Sequence, residues 1–194
     1  MGAELDHRCN NLLAHVQSIA DQTLRYAASP EAFVEAFDGR LKALSAAHEV
    51  LTRNAWGCID LAEIAAAALA PHAGPGRRVR IDGPAMGLAP QTAAAFFMTF
   101  HELGANAARH GALGAEAGRV ELVWRPDLIS QVLRLNWREY GGPPPALSRR
   151  SGFGLRLLTA GVSRDLGGES RLEFRPAGFT FALSAPLSAR LACG

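Results

Sequence analysis

Residues 90–110, PQTAAAFFMTFHELGANAARH, place Phe96, Phe100, Leu103 and Ala107 on one stripe at helical spacing. A long amphipathic helix is therefore expected from Pro90 to His110. Just beyond it the period changes. In QVLRLNWRE, residues 131–139, Leu133, Leu135, Trp137 and Glu139 alternate with polar neighbours, so they share one side of a strand. A partner strand is read at Arg119–Trp124. After Glu139 a Gly/Pro loop runs from Tyr140 to Gly152. A helix is expected from about Phe153 to Leu166, ended by Gly167-Gly168. The final hairpin sets Leu172 and Phe174 opposite Phe179, Phe181 and Leu183.

Towards the N-terminus, Val79 and Ile81 form a short strand before the Gly83-Pro84 turn. Asp60 is placed to cap an alanine-rich helix that ends near Pro71. The first fifty-odd residues carry two further stripes. One comprises Leu5, Leu12, Val16, Ile19 and Thr23, the other Phe33, Phe37, Leu41, Leu44, His48 and Leu51, with Ser29-Pro30 between them as N-cap and first helical residue. The expected fold is α+β: an N-terminal antiparallel helical hairpin over residues 1–55, then an α/β sandwich over residues 56–194. The sandwich has helices on one face of a mixed, mostly antiparallel sheet. A lone hairpin has little to pack against, so it is expected to form a four-helix bundle in a homodimer, or to pack on the rest of the chain.

Composition narrows the function classes. With 48% hydrophobic residues among 194, the chain can bury a core, which excludes global disorder. A formal charge of +2, with basic residues spread along the chain, gives no footprint for nucleic acid. There is no apolar run long enough to span a membrane and no signal-peptide pattern at MGAELDHRCNN. Cys9, Cys58 and Cys193 are odd in number and lack a CxxC pair, which fits reduced thiols in the cytoplasm.

Four segments carry groups suited to chemistry. Glu102 and Asn106 are four apart and share a helix face, which Arg109 and His110 continue. Such a face is either a solvated polar stripe or a holder for hydrated Mg²⁺ on a triphosphate, since Mg²⁺ takes few protein oxygens. Glu139, on the core side of its strand, needs a donor. An adenine amine would serve, as would Arg138 or Arg134 turned around the edge. Gly141 and Gly142 let backbone approach a flat ring. In SGFGLRLL, Gly152 and Gly154 flank Phe153 ahead of a helix, whose N-terminus favours anions. Between them lies a short loop with Arg149 and Arg150, either a lid near phosphates or an ordinary surface loop. His7, in ELDHRCNN, sits roughly 200° around the helix from Leu5 and is therefore exposed. Local chemistry alone favours an ordinary exposed histidine; the other reading is a nucleophile whose second ring nitrogen the Asp6 carboxylate holds.

In this order ELDHRCNN, HELGANAARHGAL, NWREYGGPP and SGFGLRLL resemble the HWE histidine kinases, a branch of bacterial sensor kinases. The histidine beside the helix glutamate would be His101, and the W-x-E pair Trp137 and Glu139. The likeness runs from Glu4 to about Leu187 and includes LTRNAWGCIDLAEI and LGGESRLEFRPAGFTFAL. It implies a dimerisation and phosphotransfer hairpin followed by a Bergerat-type ATP-binding domain. It also implies ATP and Mg²⁺ as cofactors, autophosphorylation of His7, and transfer to an aspartate of a response regulator receiver domain docked on the hairpin. By the same resemblance Glu102 is the helper carboxylate, Asn106 the Mg²⁺ ligand, and Arg109, with His110 beside it, a phosphate contact. Glu139 and the following Gly141 and Gly142 would face adenine, and Gly152, Phe153 and Gly154 would form the phosphate-side glycine box. Two positions depart from the family pattern: Asn10 stands where many relatives carry Lys, and Ala105 where they carry Thr.

No sensor domain is recognised in the sequence, which fits an excised core or a protein with a separate sensor. Two competing readings are a histidine phosphotransferase with a degenerate ATP-binding domain and a related ATP-dependent serine kinase. Glu102, Asn106, Glu139, Gly152 and Gly154 argue against the first, and the ELDHRCNN helix against the second.

Overall fold

Ser29 and Pro30 make the first break in the chain as their chemistry requires. The Ser29 hydroxyl accepts the N–H of Ala32 at 3.2 Å, and Pro30 opens the helix that follows. The computed structural model describes residues 2–76, 78–144 and 166–187, side chains of residues 2–11 and 26 excepted. The two helices are α1 (Gly2–Tyr26) and α2 (Pro30–Arg53). Chain contacts define two units, Met1–Ser45 and Ala46–Gly194. Within the first, the buried Arg40 donates to the Thr23 hydroxyl at 3.4 Å, a polar tie between α1 and α2. Ile19, Thr23 and Leu44 of the expected stripes are buried, whereas Leu41 is 39% exposed.

In the second unit α2 ends where Ala55 and Trp56 turn to positive φ, 49° and 57°. A two-residue strand β1 (Ile59–Asp60) then leads into α3 (Leu61–Leu69). The Asp60 carboxylate does two jobs. Oδ1 accepts the N–H of Ala62 at 2.7 Å and caps α3, while Oδ2 accepts the N–H of Met86 at 3.0 Å beside β3 (Gly87–Leu88), the antiparallel partner of β1. Next come β2 (Val79–Asp82), α4 (Pro90–His110), a 3-10 turn (Ala112–Gly114), β4 (Arg119–Asp127), β5 (Val132–Tyr140), β6 (Glu169–Arg175) and β7 (Gly178–Pro186).

These strands form a five-stranded sheet in the order β2-β4-β5-β7-β6, with β2–β4 parallel and the other pairs antiparallel. It is the mixed, mostly antiparallel sheet expected from the sequence. Leu133, Leu135, Trp137 and Glu139 are all buried on its inner face, while Arg134 and Arg138 are exposed on the other. Phe96, Phe100 and Leu103 of α4, Ile64 of α3, and Leu122, Trp124 and Phe181 of the sheet complete the core. Each such side chain contributes about 1.5–3 kcal/mol by leaving water. Three details differ from the expectation. The pairs β1 and β3 are too short to leave a periodic signal. β4 runs three residues past Trp124, because beyond Val123 β2 no longer pairs and an open edge tolerates Pro126. Cys58 is disulfide-bonded, not the reduced thiol that cysteine number and spacing predicted. Number and spacing do not report which thiols folding brings together. The side chains of Cys9 and Cys193, like the helix expected from Phe153, lie outside the described residues.

Candidate functional site

The last turn of α4 carries the basic residues Arg109 and His110, at the helix end whose dipole favours positive charge. With Gly111, Gly114 and Ala115 of the following turn, and Gly141, Gly142, Pro143 and Pro144 after β5, they line a cavity of about 570 Å³. Its walls are largely backbone. Gly141 has φ of 69°, a conformation that suits glycine, and a Cβ at Gly142 would meet the backbone of Ala112 at 2.7 Å.

Glu139 stands directly behind this wall. It is 5% exposed, and a Cβ on Gly111 would overlap its Oε2. Oε2 accepts the N–H of Ala112 at 2.8 Å, and Oε1 accepts the indole N–H of Trp137 at 3.2 Å. Neither Arg134 nor Arg138 is the partner weighed from sequence, since both point to the opposite face of the sheet. Burial pushes the Glu139 carboxyl above its usual value, and the bonds from Ala112 and Trp137 hold it back only in part. Each oxygen keeps a lone pair, so further donors can still be accepted.

Further back along α4, Glu102 is buried and Asn106 half-buried. The Asn106 amide nitrogen is buried with no partner, a donor that lacks its acceptor. Among the described residues no three His, Cys, Asp or Glu side chains converge as a metal cluster. His101 Nδ1 lies 3.1 Å from Nε2 of His72, just past α3, with the rings edge to face at 4.6 Å. Gly104 makes room for this, as a Cβ there would meet the His72 ring at 2.6 Å. Burial, then His101, then Arg109, pull the His72 pKa down to about 4, so it is neutral at pH 7.

Of the residues singled out from sequence, Arg109, His110, Gly141 and Gly142 thus come together around one cavity, with Glu139 behind it and Asn106 and Glu102 one and two turns away. The His7 side chain, Gly152, Phe153 and Gly154 lie outside the described residues. Sequence reasoning missed Ala112, His72 and Arg78. Arg78 donates to the carbonyls of Leu113 and Ala115. A backbone N–H and a lone arginine before a strand leave no pattern. The Trp137 indole was in principle visible, being two residues from Glu139 and so on the same face.

Residues 4–85 match the family model for HWE histidine kinase. Relatives extend the likeness over the cavity. The blue-light-activated histidine kinase of Brucella anthropi is 36% identical over 191 residues, 96% of this chain and 38% of that protein. The Brucella ovis protein of the same description is 35% identical over 188 residues, 95% and 38%. The chain thus spans well under half the length of the curated relatives it matches. Solved structures share the fold. The Erythrobacter litoralis EL346 blue-light activated histidine kinase superposes with a TM-score of 0.72 at 18% identity, covering 96% of this chain and 61% of that one. The histidine kinase domain of the same protein superposes with 0.62 at 16% identity, covering 93% and 96%.

Proposed function

We propose that the chain is the catalytic core of a sensor histidine kinase in two-component signalling. Residues 1–55 serve as the dimerisation and phosphotransfer hairpin, and residues 56–194 as the ATP-binding domain. The γ-phosphate of ATP passes to His7 and then to an aspartate of a response regulator receiver domain. The observation that carries this reading is the glycine-walled cavity beside Arg109 and His110, with the buried Glu139 carboxylate behind Gly111. A flat base needs close backbone approach and a buried acceptor, while phosphates need cations.

The residues present fit a nucleotide and its divalent cation. The partnerless Asn106 amide nitrogen is a donor suited to a phosphate oxygen on that face of α4. Bound Mg²⁺ would supply charge neutralisation on the triphosphate. Asn106 is the side chain suited to hold it, with Glu102 as the carboxylate behind and Arg109 as a phosphate contact. Glu139, supported by Trp137, would accept from the adenine amine, with Gly141 and Gly142 against the ring. Gly152, Phe153 and Gly154 would close the phosphate side. His7 must be neutral to attack in line. We infer a homodimer through the hairpin, whose Leu13, Leu24, Val34 and Leu41 are exposed, and a cytoplasmic setting where ATP and receiver domains are at hand. No helix among the described residues is long and apolar enough to cross a membrane.

Titration with a fluorescent ATP analogue and Mg²⁺ tests the reading. Saturable binding that is lost in Asn106→Asp and competed by ATP is expected. Absence of binding to a folded chain would leave only the phosphotransferase alternative.

A further inference from the structure

The turn that walls the cavity is held at one end by the Glu139 carboxyl and at the other by the Arg78 guanidinium. At its start, Glu139 accepts the N–H of Ala112. At its end, the Arg78 guanidinium donates from one nitrogen to the carbonyls of Leu113, at 3.1 Å, and Ala115, at 2.9 Å. These are charge-assisted bonds, stronger than neutral ones. Arg78 is itself anchored. Its carbonyl accepts the N–H of Val120 at 2.8 Å, and Val120 stands opposite Glu139 in the β4–β5 register. The two clamps therefore spring from one row of the sheet. Gly74, with φ of 61°, packs so tightly on the guanidinium that a Cβ there would strike it.

Two observations speak for a site-directed role. Both carbonyls belong to the 111–115 segment, of which Gly111, Gly114 and Ala115 face the cavity. The Arg78 Nε is buried without a partner, so the side chain keeps its two bonds to the turn at the cost of an unsatisfied donor. We propose that Arg78 is a positioning residue of the nucleotide pocket, holding the 111–115 turn as a fixed wall together with Glu139. The proposal rests on the nucleotide reading of the cavity and assigns Arg78 no contact with nucleotide.

The test uses Arg78→Gln, Arg78→Lys, Glu139→Gln and the Arg78→Gln/Glu139→Gln double variant. Affinity for the fluorescent ATP analogue is measured beside amide exchange across the sheet and the turn. Arg78→Gln should weaken binding on the order of tenfold, with Arg78→Lys between it and wild type because an ammonium lacks the planar fork. The double variant should lose less than the product of the single losses, since both act on one turn. Amide exchange should quicken at Gly114 and Ala115, whose N–H groups bond Gly111 and Ala112, and not at β4. Wild-type affinity in folded Arg78→Gln, multiplicative losses, or equal acceleration throughout the domain would each overturn the proposal. Should Arg78→Gln not fold, the Lys variant carries the same comparisons. Failure of wild type to bind would sink the nucleotide reading instead, and the local exchange pattern would still decide whether Arg78 holds the turn.

Discussion

Glu139 shows how one residue can be costly to the fold and useful to the site. Its carboxyl is raised from an ordinary value near 4.5 by burial. For a raised acid the folded state binds more protons than the unfolded one, so its stability contribution falls as pH rises from about 4.5 through the folded pKa. The difference in melting temperature between wild type and Glu139→Gln should thus shrink or reverse across that window and level off above it. The same variant should bind the ATP analogue more weakly at pH 7. A flat difference against pH would contradict the buried-acid account. His72 has the opposite sign. Lowered to about 4, it takes up a proton more readily unfolded, so stability should fall as pH drops from 6.5 towards 4, and His72→Gln should flatten that fall in a pH series of melts. The strand alternation announced that Glu139 faces inward, but not what it would meet there. The partner is a backbone N–H from a turn 27 positions away in sequence, which periodicity does not encode.

Elements were legible where periodicity or capping chemistry is strong. α4 begins and ends at the expected residues, Pro90 and His110, because a proline opens it and a glycine follows it. Ser29 and Asp60 cap the helices they were expected to cap. The 3-10 turn was invisible, since its shape depends on close backbone contacts. Gly118 is one of these. A Cβ there would run into the carbonyl of Ala112, a backbone atom that cannot swing aside. Gly118→Ala should therefore cost roughly 1–3 kcal/mol in urea denaturation and disturb the cavity wall as well. A neutral Gly118→Ala would mean that the turn is looser than its packing implies.

For the whole molecule, sequence motifs in a fixed order carried more than any single motif. The family match ends at Ala85, before the cavity, whereas the Brucella relatives align across it. The exposed apolar residues of the hairpin lead us to expect a homodimer, with Leu24→Glu/Val34→Glu shifting it to monomer in light scattering. A monomeric wild type would remove the four-helix bundle from the account. The central claim is phosphoryl transfer from ATP to His7. Its most direct test is incubation of the purified chain with γ-labelled ATP and Mg²⁺ beside a His7→Ala variant, followed by treatment of the labelled protein with acid and base. Label that is acid-labile, base-stable and absent from His7→Ala is expected; label that survives acid or persists in the variant would rule out phosphoryl transfer to His7.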